Sequence, residues 1–372
     1  MTVAERSIPF FPYSQLFLAR EEEIISVMKD VCRRGAYILQ QECRDFEANL
    51  SDFMGAKHAF GVANGTDAII IGLRAAGIEA GDEVILPSHT YIATAAAVHM
   101  VGAIPVLAEC GADHMLDPED VLRKITSKTK AIMPVQINGR TCDMVALQEI
   151  ADEHGLLVCE DAAQALGSKF DGQSAGTFGV FGTISFYPAK LLGCFGDGGA
   201  IVTNDDNVAE KIGLLRDHGR NEEGVVVAWG LNSRLDNLHA AVLDLKLKSF
   251  REDIERRRKI AALYQEGLGD VDALILPPAP DSDPRHFDVY QNYELEADRR
   301  SELREHLTQS GVGTIIQWAG TPVHQFKELG FTDHLPKTDE FFRRCLMLPM
   351  NMALSDEDVS YVIASVRRFY GK

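Results

Sequence analysis

Residues 183–205 read TISFYPAKLLGCFGDGGAIVTND. The run opens on β-rich residues (Ile184, Phe186, Tyr187), meets Pro188, and places Lys190 just beyond it. It then passes through Gly193, Gly196, Gly198 and Gly199 into the apolar stretch 200–202. That pattern reads as strand, loop, strand, with one lysine at the bend. A lysine held at a strand end among apolar and glycine neighbours loses hydration. Its pKa then falls, and the neutral amine becomes available to attack a carbonyl. Lys190 is therefore a candidate Schiff-base lysine, the ordinary alternative being a solvated loop residue.

Upstream, residues 154–164 read HGLLVCEDAAQ. Residues 156–159 form a short buried-strand pattern that delivers Glu160 and Asp161 to its C-terminal end, where open α/β sheets hold their ligands. A carboxylate there suits pairing with a protonated pyridine nitrogen, which keeps pyridoxal phosphate a strong electron sink. A helix cap at Asp161, ahead of Ala162 and Ala163, is the structural alternative.

Together the two segments resemble the fold-type I pyridoxal-phosphate aminotransferases, and within them the DegT-like sugar aminotransferases. The matching elements are ANGTDA at 63–68, HTYIAT at 89–94, EDAAQA at 160–165, SFYPAK at 185–190, GDGGAIVTND at 196–205 and GLNSRLDNLHAA at 230–241, with LPMNMALSDEDV near the C-terminus. They occur in the family's order and cover nearly the whole chain. The resemblance implies a three-layer α/β/α large domain with a mostly parallel sheet, expected over residues 1–250 with an N-terminal arm. A smaller C-terminal α+β domain is expected over 251–372, with the composition break at PPAPD, residues 277–281, near its start.

Composition agrees. A chain of 372 residues with 46% hydrophobic residues can bury a large core. A formal charge of −18 disfavours nucleic acid and anionic membranes. With no run long enough to span a bilayer and no secretion-signal pattern, the expected location is cytoplasmic. Seven scattered cysteines fit reduced thiols, and neither a disulfide framework nor a metal site is expected. Cys159 and Cys194, beside the proposed site, read as packing residues.

Along the chain, helical patterns at about 21–31 and 42–53 flank the loop RRGAYILQQ, in which Tyr37 lines the substrate entrance by resemblance or serves as an aromatic anchor. A strand at 58–63 leads through Asn64, Gly65 and Thr66 into a helix over 67–76. Such a strand, glycine turn and helix N-terminus forms an anion site, in which Gly65 lets a phosphate approach and Thr66 adds a hydroxyl. The strand at 83–87 ends on His89, Thr90 and Tyr91, and the resemblance gives Tyr91 the role of stacking on the pyridine ring. Further strands at 104–108 and 131–137 alternate with helices at 118–125 and 144–154, which is the signature of a parallel sheet. Beyond the polar loop 217–230, a helix is expected over 235–250. By resemblance this loop reaches the neighbouring subunit, making Asn232 a phosphate ligand in trans and Arg234 a substrate contact within a homodimer with shared active sites. A strand is expected over 289–295. In GTIIQWAGTPVH, residues 313–324, this chain has Gln317 where many relatives carry histidine, and His324 is a further candidate substrate contact.

The expected chemistry is transamination in two stages. Lys190 is both the cofactor's covalent partner and the general base for the proton shift. Asp161 holds the pyridinium. Gln164, three residues on in an expected helical turn, reaches the ring hydroxyl. Ser185 joins Gly65, Thr66 and Asn232 at the phosphate. The donor is expected to be an amino acid, with glutamate favoured. By resemblance the acceptor is a nucleotide-linked keto-deoxysugar of a glycan or glycoside pathway, with a lean toward 3-keto sugars. A cyclitol or other ketone without a nucleotide is the alternative acceptor, and a non-catalytic sensor is the alternative class. Lys190 argues against sugar dehydration, since the dehydrating relatives carry histidine there.

Overall fold

The computed structural model describes residues 6–372. Seven strands form the main sheet: β1 (His58–Val62), β2 (Glu83–Pro87), β3 (Ile104–Ala108), β4 (Thr129–Ile132), β5 (Leu157–Asp161), β6 (Phe181–Ser185) and β7 (Gly199–Thr203), in the order β1-β7-β6-β5-β4-β2-β3. β7 runs antiparallel to both of its neighbours, and every other neighbouring pair runs parallel. Because side chains alternate along a strand, each strand feeds both faces of the core built around the sheet. Phe181 and Ile201 pack on one side with the helix Gly65–Ala75, while Ile184, Ala200 and Val202 pack on the other with Phe46 and Leu50 of the helix Gln41–Met54. Helices therefore cover both faces, giving the expected α/β/α layers.

A second core gathers residues 260–366. Its three-stranded antiparallel sheet (Leu274–Ile275, Tyr293–Ala297, Cys345–Leu348) packs against the helices Phe250–Leu268, Arg300–Gln309 and Asp356–Tyr370. The helix Phe250–Leu268 joins the two cores, since Phe250 and Ile254 are buried in the first and Ile260, Tyr264 and Leu268 in the second.

Several local expectations are corrected. The N-terminal arm, expected with the large domain, joins the second core: Ile8 is buried there and bridges Val312, its N–H and C=O bonding to Gly311 and Gly313, both at 2.8 Å. The strand expected at 131–137 stops at Ile132. Pro134 has no N–H to donate, and Ile137–Gly139 forms a single 3-10 turn. Residues 162–167 are turns instead of a helix, and the strand expected from 289 begins at Tyr293. The helix expected over 235–250 divides into Asn237–Leu247 and the start of Phe250–Leu268. Among the described residues, no helix is long and apolar enough to cross a membrane.

Candidate active site

The parallel strands end on one side of the sheet, and there a cavity of about 480 Å³ opens. It collects groups that follow β1 (Asn64, Gly65, Thr66), β2 (Thr90, Tyr91, Thr94) and β5 (Ala163, Gln164) with Asp161 and Ser185, the last residues of β5 and β6. Lys190, Asp197 and Trp318 complete much of the lining. Of the eleven residues singled out from the sequence, seven therefore line one space: Gly65, Thr66, Tyr91, Asp161, Gln164, Ser185 and Lys190.

One end of the cavity is a helix N-terminus. Asn64 caps the helix Gly65–Ala75 by accepting from Asp67 N–H at 2.8 Å, and its carbonyl takes Ala68 N–H at 3.1 Å. The N–H groups of Gly65 and Thr66 have no partner among the described residues and face the region of positive helix potential. Space is tight here. A Cβ on Gly65 would sit 3.1 Å from Ser185 Cβ, and one on Gly199 would lie 2.5 Å from the Asn64 carbonyl carbon. Glycine at both positions lets β1, β6 and β7 bring the helix start and the Ser185 hydroxyl together.

At the other end lies Asp161, 6% exposed. Its Oδ2 accepts from Thr94 Oγ1 at 2.8 Å, with Thr94 also bonded to Thr90 at 2.7 Å, and its Oδ1 accepts from Ala163 N–H at 3.1 Å. Burial raises the Asp161 pKa, and the two hydrogen bonds and the nearby Lys190 pull it back. Lys190 feels the converse: burial pushes its amine down to about 8, opposed by Asp161. The adjacent Glu160 has a different fate. It points away from the cavity, fully buried, and accepts from Gln136 Nε2 at 2.8 Å and from the N–H groups of Gly176, Phe178 and Gly179. Strand alternation separates two carboxylates that look equivalent in sequence.

Gln164 stands on a turn, so the expected helical spacing does not place it. Its Oε1 accepts from Asn138 N–H at 2.8 Å, which leaves its amide N–H group for the cavity. Tyr91 is 57% exposed at the start of the helix Ile92–Met100, with its ring centroid 6.5 Å from that of Trp318.

Four expected residues lie outside this lining. Tyr37 is 49% exposed, and Asn232 is exposed on the loop after Asp217. Arg234 Nη1 is held by Asp217 at 2.8 Å. His324, expected to contact substrate, is a buried structural residue, with Nδ1 2.8 Å from Ser88 Oγ and Nε2 3.0 Å from Asp339 Oδ1. Both ring nitrogens are occupied, so the ring ties the segment after residue 316 to the end of β2. Gln317 is likewise buried. With its amide oriented to satisfy its neighbours, it donates to Glu294 at 3.0 Å and to Asn138 at 3.2 Å. The sequence reading missed Thr94 and Trp318. Thr94 lies within the quoted HTYIAT element three residues past Tyr91, one helical turn on, which was the available signal. Trp318 adopts φ 46°, a backbone state without any sequence cue.

The residues fit pyridoxal phosphate. The glycine cradle and free N–H groups suit its phosphate, and a buried carboxylate at the far end requires a cationic partner such as a ring N–H. All seven cysteines are free; Cys159 and Cys194 are buried, and burial pushes the Cys194 thiol up to about 11, which suits packing.

Comparison with known proteins identifies the family. The model of the DegT/DnrJ/EryC1/StrS aminotransferase family matches residues 19–367. The chain is 38% identical, over 98% of its length and 99% of the relative's, to a pleiotropic regulatory protein of Geobacillus stearothermophilus. It is 40% identical, over 97% and 96%, to dTDP-3-amino-3,4,6-trideoxy-alpha-D-glucose transaminase of Streptomyces venezuelae. Among solved structures, that of S. venezuelae DesV in complex with a ketimine intermediate superposes with a TM-score of 0.94 at 38% identity, covering 98% of this chain and 99% of that one.

Proposed function

The chain belongs to the DegT/DnrJ/EryC1/StrS aminotransferase family and is a pyridoxal-phosphate-dependent aminotransferase; from this premise we propose that it transfers an amino group from glutamate to the 3-keto position of a nucleotide-linked deoxysugar. The observation that carries the reading is the convergence of Lys190, Asp161 and the Gly65 helix start on one cavity. When bound, the cofactor supplies an aldehyde that accepts the donor's amine and a pyridinium ring that stabilises negative charge at the carbon losing its proton.

The protein's own groups have separable tasks. The N–H groups of Gly65 and Thr66, with the Thr66 and Ser185 hydroxyls, hold the phosphate dianion at the helix N-terminus. Asp161, fixed by Thr94 and Ala163, keeps the ring nitrogen protonated, and the ring's positive charge in turn favours ionised Asp161. Gln164 presents its amide N–H to the ring hydroxyl, and Tyr91 covers one ring face. Lys190 would hold the cofactor through its aldehyde, and its amine, whose pKa burial pushes down to about 8, can take a proton from the donor's α-carbon and return it elsewhere. The same groups then act in reverse on the keto sugar.

The protein works as a homodimer in the cytoplasm. Val225, Val226 and Val227 are each more than half exposed and Trp229 is 95% exposed, an apolar patch on a loop that also carries Asn232 and Arg234. A second copy covers this patch, and Asn232 joins the partner's phosphate site while Arg234 faces the sugar nucleotide's diphosphate. A regulatory relative makes a non-catalytic reading worth testing, but the intact Lys190, Asp161 and Gln164 set favours catalysis.

The test follows the absorbance of the loaded protein. Glutamate should convert the lysine-linked band to the pyridoxamine phosphate band in the wild type, and Lys190→Ala should never form the first band. A dTDP- or UDP-linked 3-keto sugar should then restore it. Restoration by a cyclitol ketone alone would move the acceptor to that class, and no response to glutamate or other amino acids would favour the sensor.

A further inference from the structure

Residues 186–198 form neither strand nor helix, so Lys190 stands on a loop. A reactive amine on such a loop needs its backbone held from elsewhere. Lys190 N–H closes a turn on the Tyr187 carbonyl at 2.8 Å. The residues on either side are held by one side chain from far along the sequence. Gln291 Nε2 donates to the Ala189 carbonyl at 2.8 Å, and Gln291 Oε1 accepts from Leu191 N–H at 2.7 Å. The amide thus straddles Lys190, using its N–H as donor on one side and its oxygen as acceptor on the other.

Gln291 is itself fixed. It is 7% exposed, and the buried Arg257 donates through Nη1 to the carbonyls of Tyr290 (3.0 Å), Gln291 (3.2 Å) and Met350 (3.2 Å). Glycine at 139 lets this segment lie close against the 137–140 turn, since a Cβ there would come within 2.6 Å of the backbone nitrogens of Tyr290 and Gln291. At the next residue, Asn292 Nδ2 donates to Asn138 Oδ1 at 2.8 Å, and Asn138 N–H holds Gln164. One short segment at the entry to the second core therefore braces both the lysine and the amide that flank the cofactor ring.

We propose that Gln291 is a positioning residue that sets the backbone register of Lys190, so that the Lys190 amine meets the cofactor aldehyde. This rests on the reading of Lys190 as the cofactor lysine. The experiment measures capture of pyridoxal phosphate by the apoprotein, a condensation of amine with aldehyde that releases one water, together with binding of pyridoxamine phosphate, which makes no bond to lysine. For Gln291→Leu, the rate of band growth should fall about 10- to 100-fold, as expected for a misplaced reacting group, while pyridoxamine phosphate affinity stays within about twofold of wild type. Gln291→Glu provides a second variant should the first fail to fold. Its carboxyl can donate to Ala189 only when protonated, so its capture rate relative to wild type should rise as pH falls. A capture rate equal to wild type in Gln291→Leu, a parallel loss of both ligands, or a pH-independent ratio in Gln291→Glu would each overturn the proposal. Lys190→Ala separates the premise: if it still forms the lysine-type band, the assignment of Lys190 itself is wrong.

Discussion

Asp161 and its neighbours at the base of the cavity are buried and paired within the chain, whereas the loop carrying Trp229 and Asn232 lies open to solvent. At the base, Thr94, Ala163 N–H and the strand ends fix each group before any ligand arrives, which is the condition for electrostatic preorganisation. At the edge, the chain exposes valines and a tryptophan that only another surface can cover. The difference teaches that, in the proposed homodimer, proton chemistry and substrate recognition are organised at separate levels, the first by one chain and the second by its assembly.

Perturbations should therefore divide between the two regions. The largest effect is expected for Asp161→Asn, which removes the anion facing the ring nitrogen while retaining shape. The glutamate half-reaction should slow about 10²- to 10³-fold in single-turnover absorbance, the scale of losing one electrostatic stabiliser. Less than a tenfold loss would mean that Asp161 is merely structural. Next comes pH. The amine must be neutral to attack, and Lys190 is held down to about 8 by burial. Cofactor capture by the apoprotein should thus fall about tenfold for each pH unit below 8 and level off above it, as a single titration requires. A profile that keeps rising past pH 10 would show an amine with an ordinary pKa. The smallest effect on chemistry is expected for Trp229→Ala. Sedimentation should show the dimer weakened by at least about tenfold, on the scale of losing a tryptophan anchor. The glutamate half-reaction, followed at a concentration that keeps the dimer, should change less than about twofold. A large loss there would place Trp229 in the catalytic base and erase the contrast.

The base was legible because its cues are local. A strand followed by Glu160 and Asp161, a glycine turn entering a helix, and a lysine among glycines each announce their geometry over a few residues. Even so, local cues misled in places. Gln164 reaches the cavity from a turn instead of a helix, and His324 proved to be a buried brace between Ser88 and Asp339. A histidine in sequence carries no sign of whether its ring nitrogens will be free.

The sequence by itself determined the fold class and the cofactor and singled out Lys190 as the candidate lysine, because periodicity, glycine placement and motif order are properties of short stretches read in succession. Only the tertiary structure decided where Glu160 is held, that Thr94 orients Asp161, and that Gln291 spans Lys190 from about one hundred positions away. Those relations depend on strand alternation, on the approach of two cores and on hydrogen bonds between distant segments, and such contacts exist only once the chain has folded.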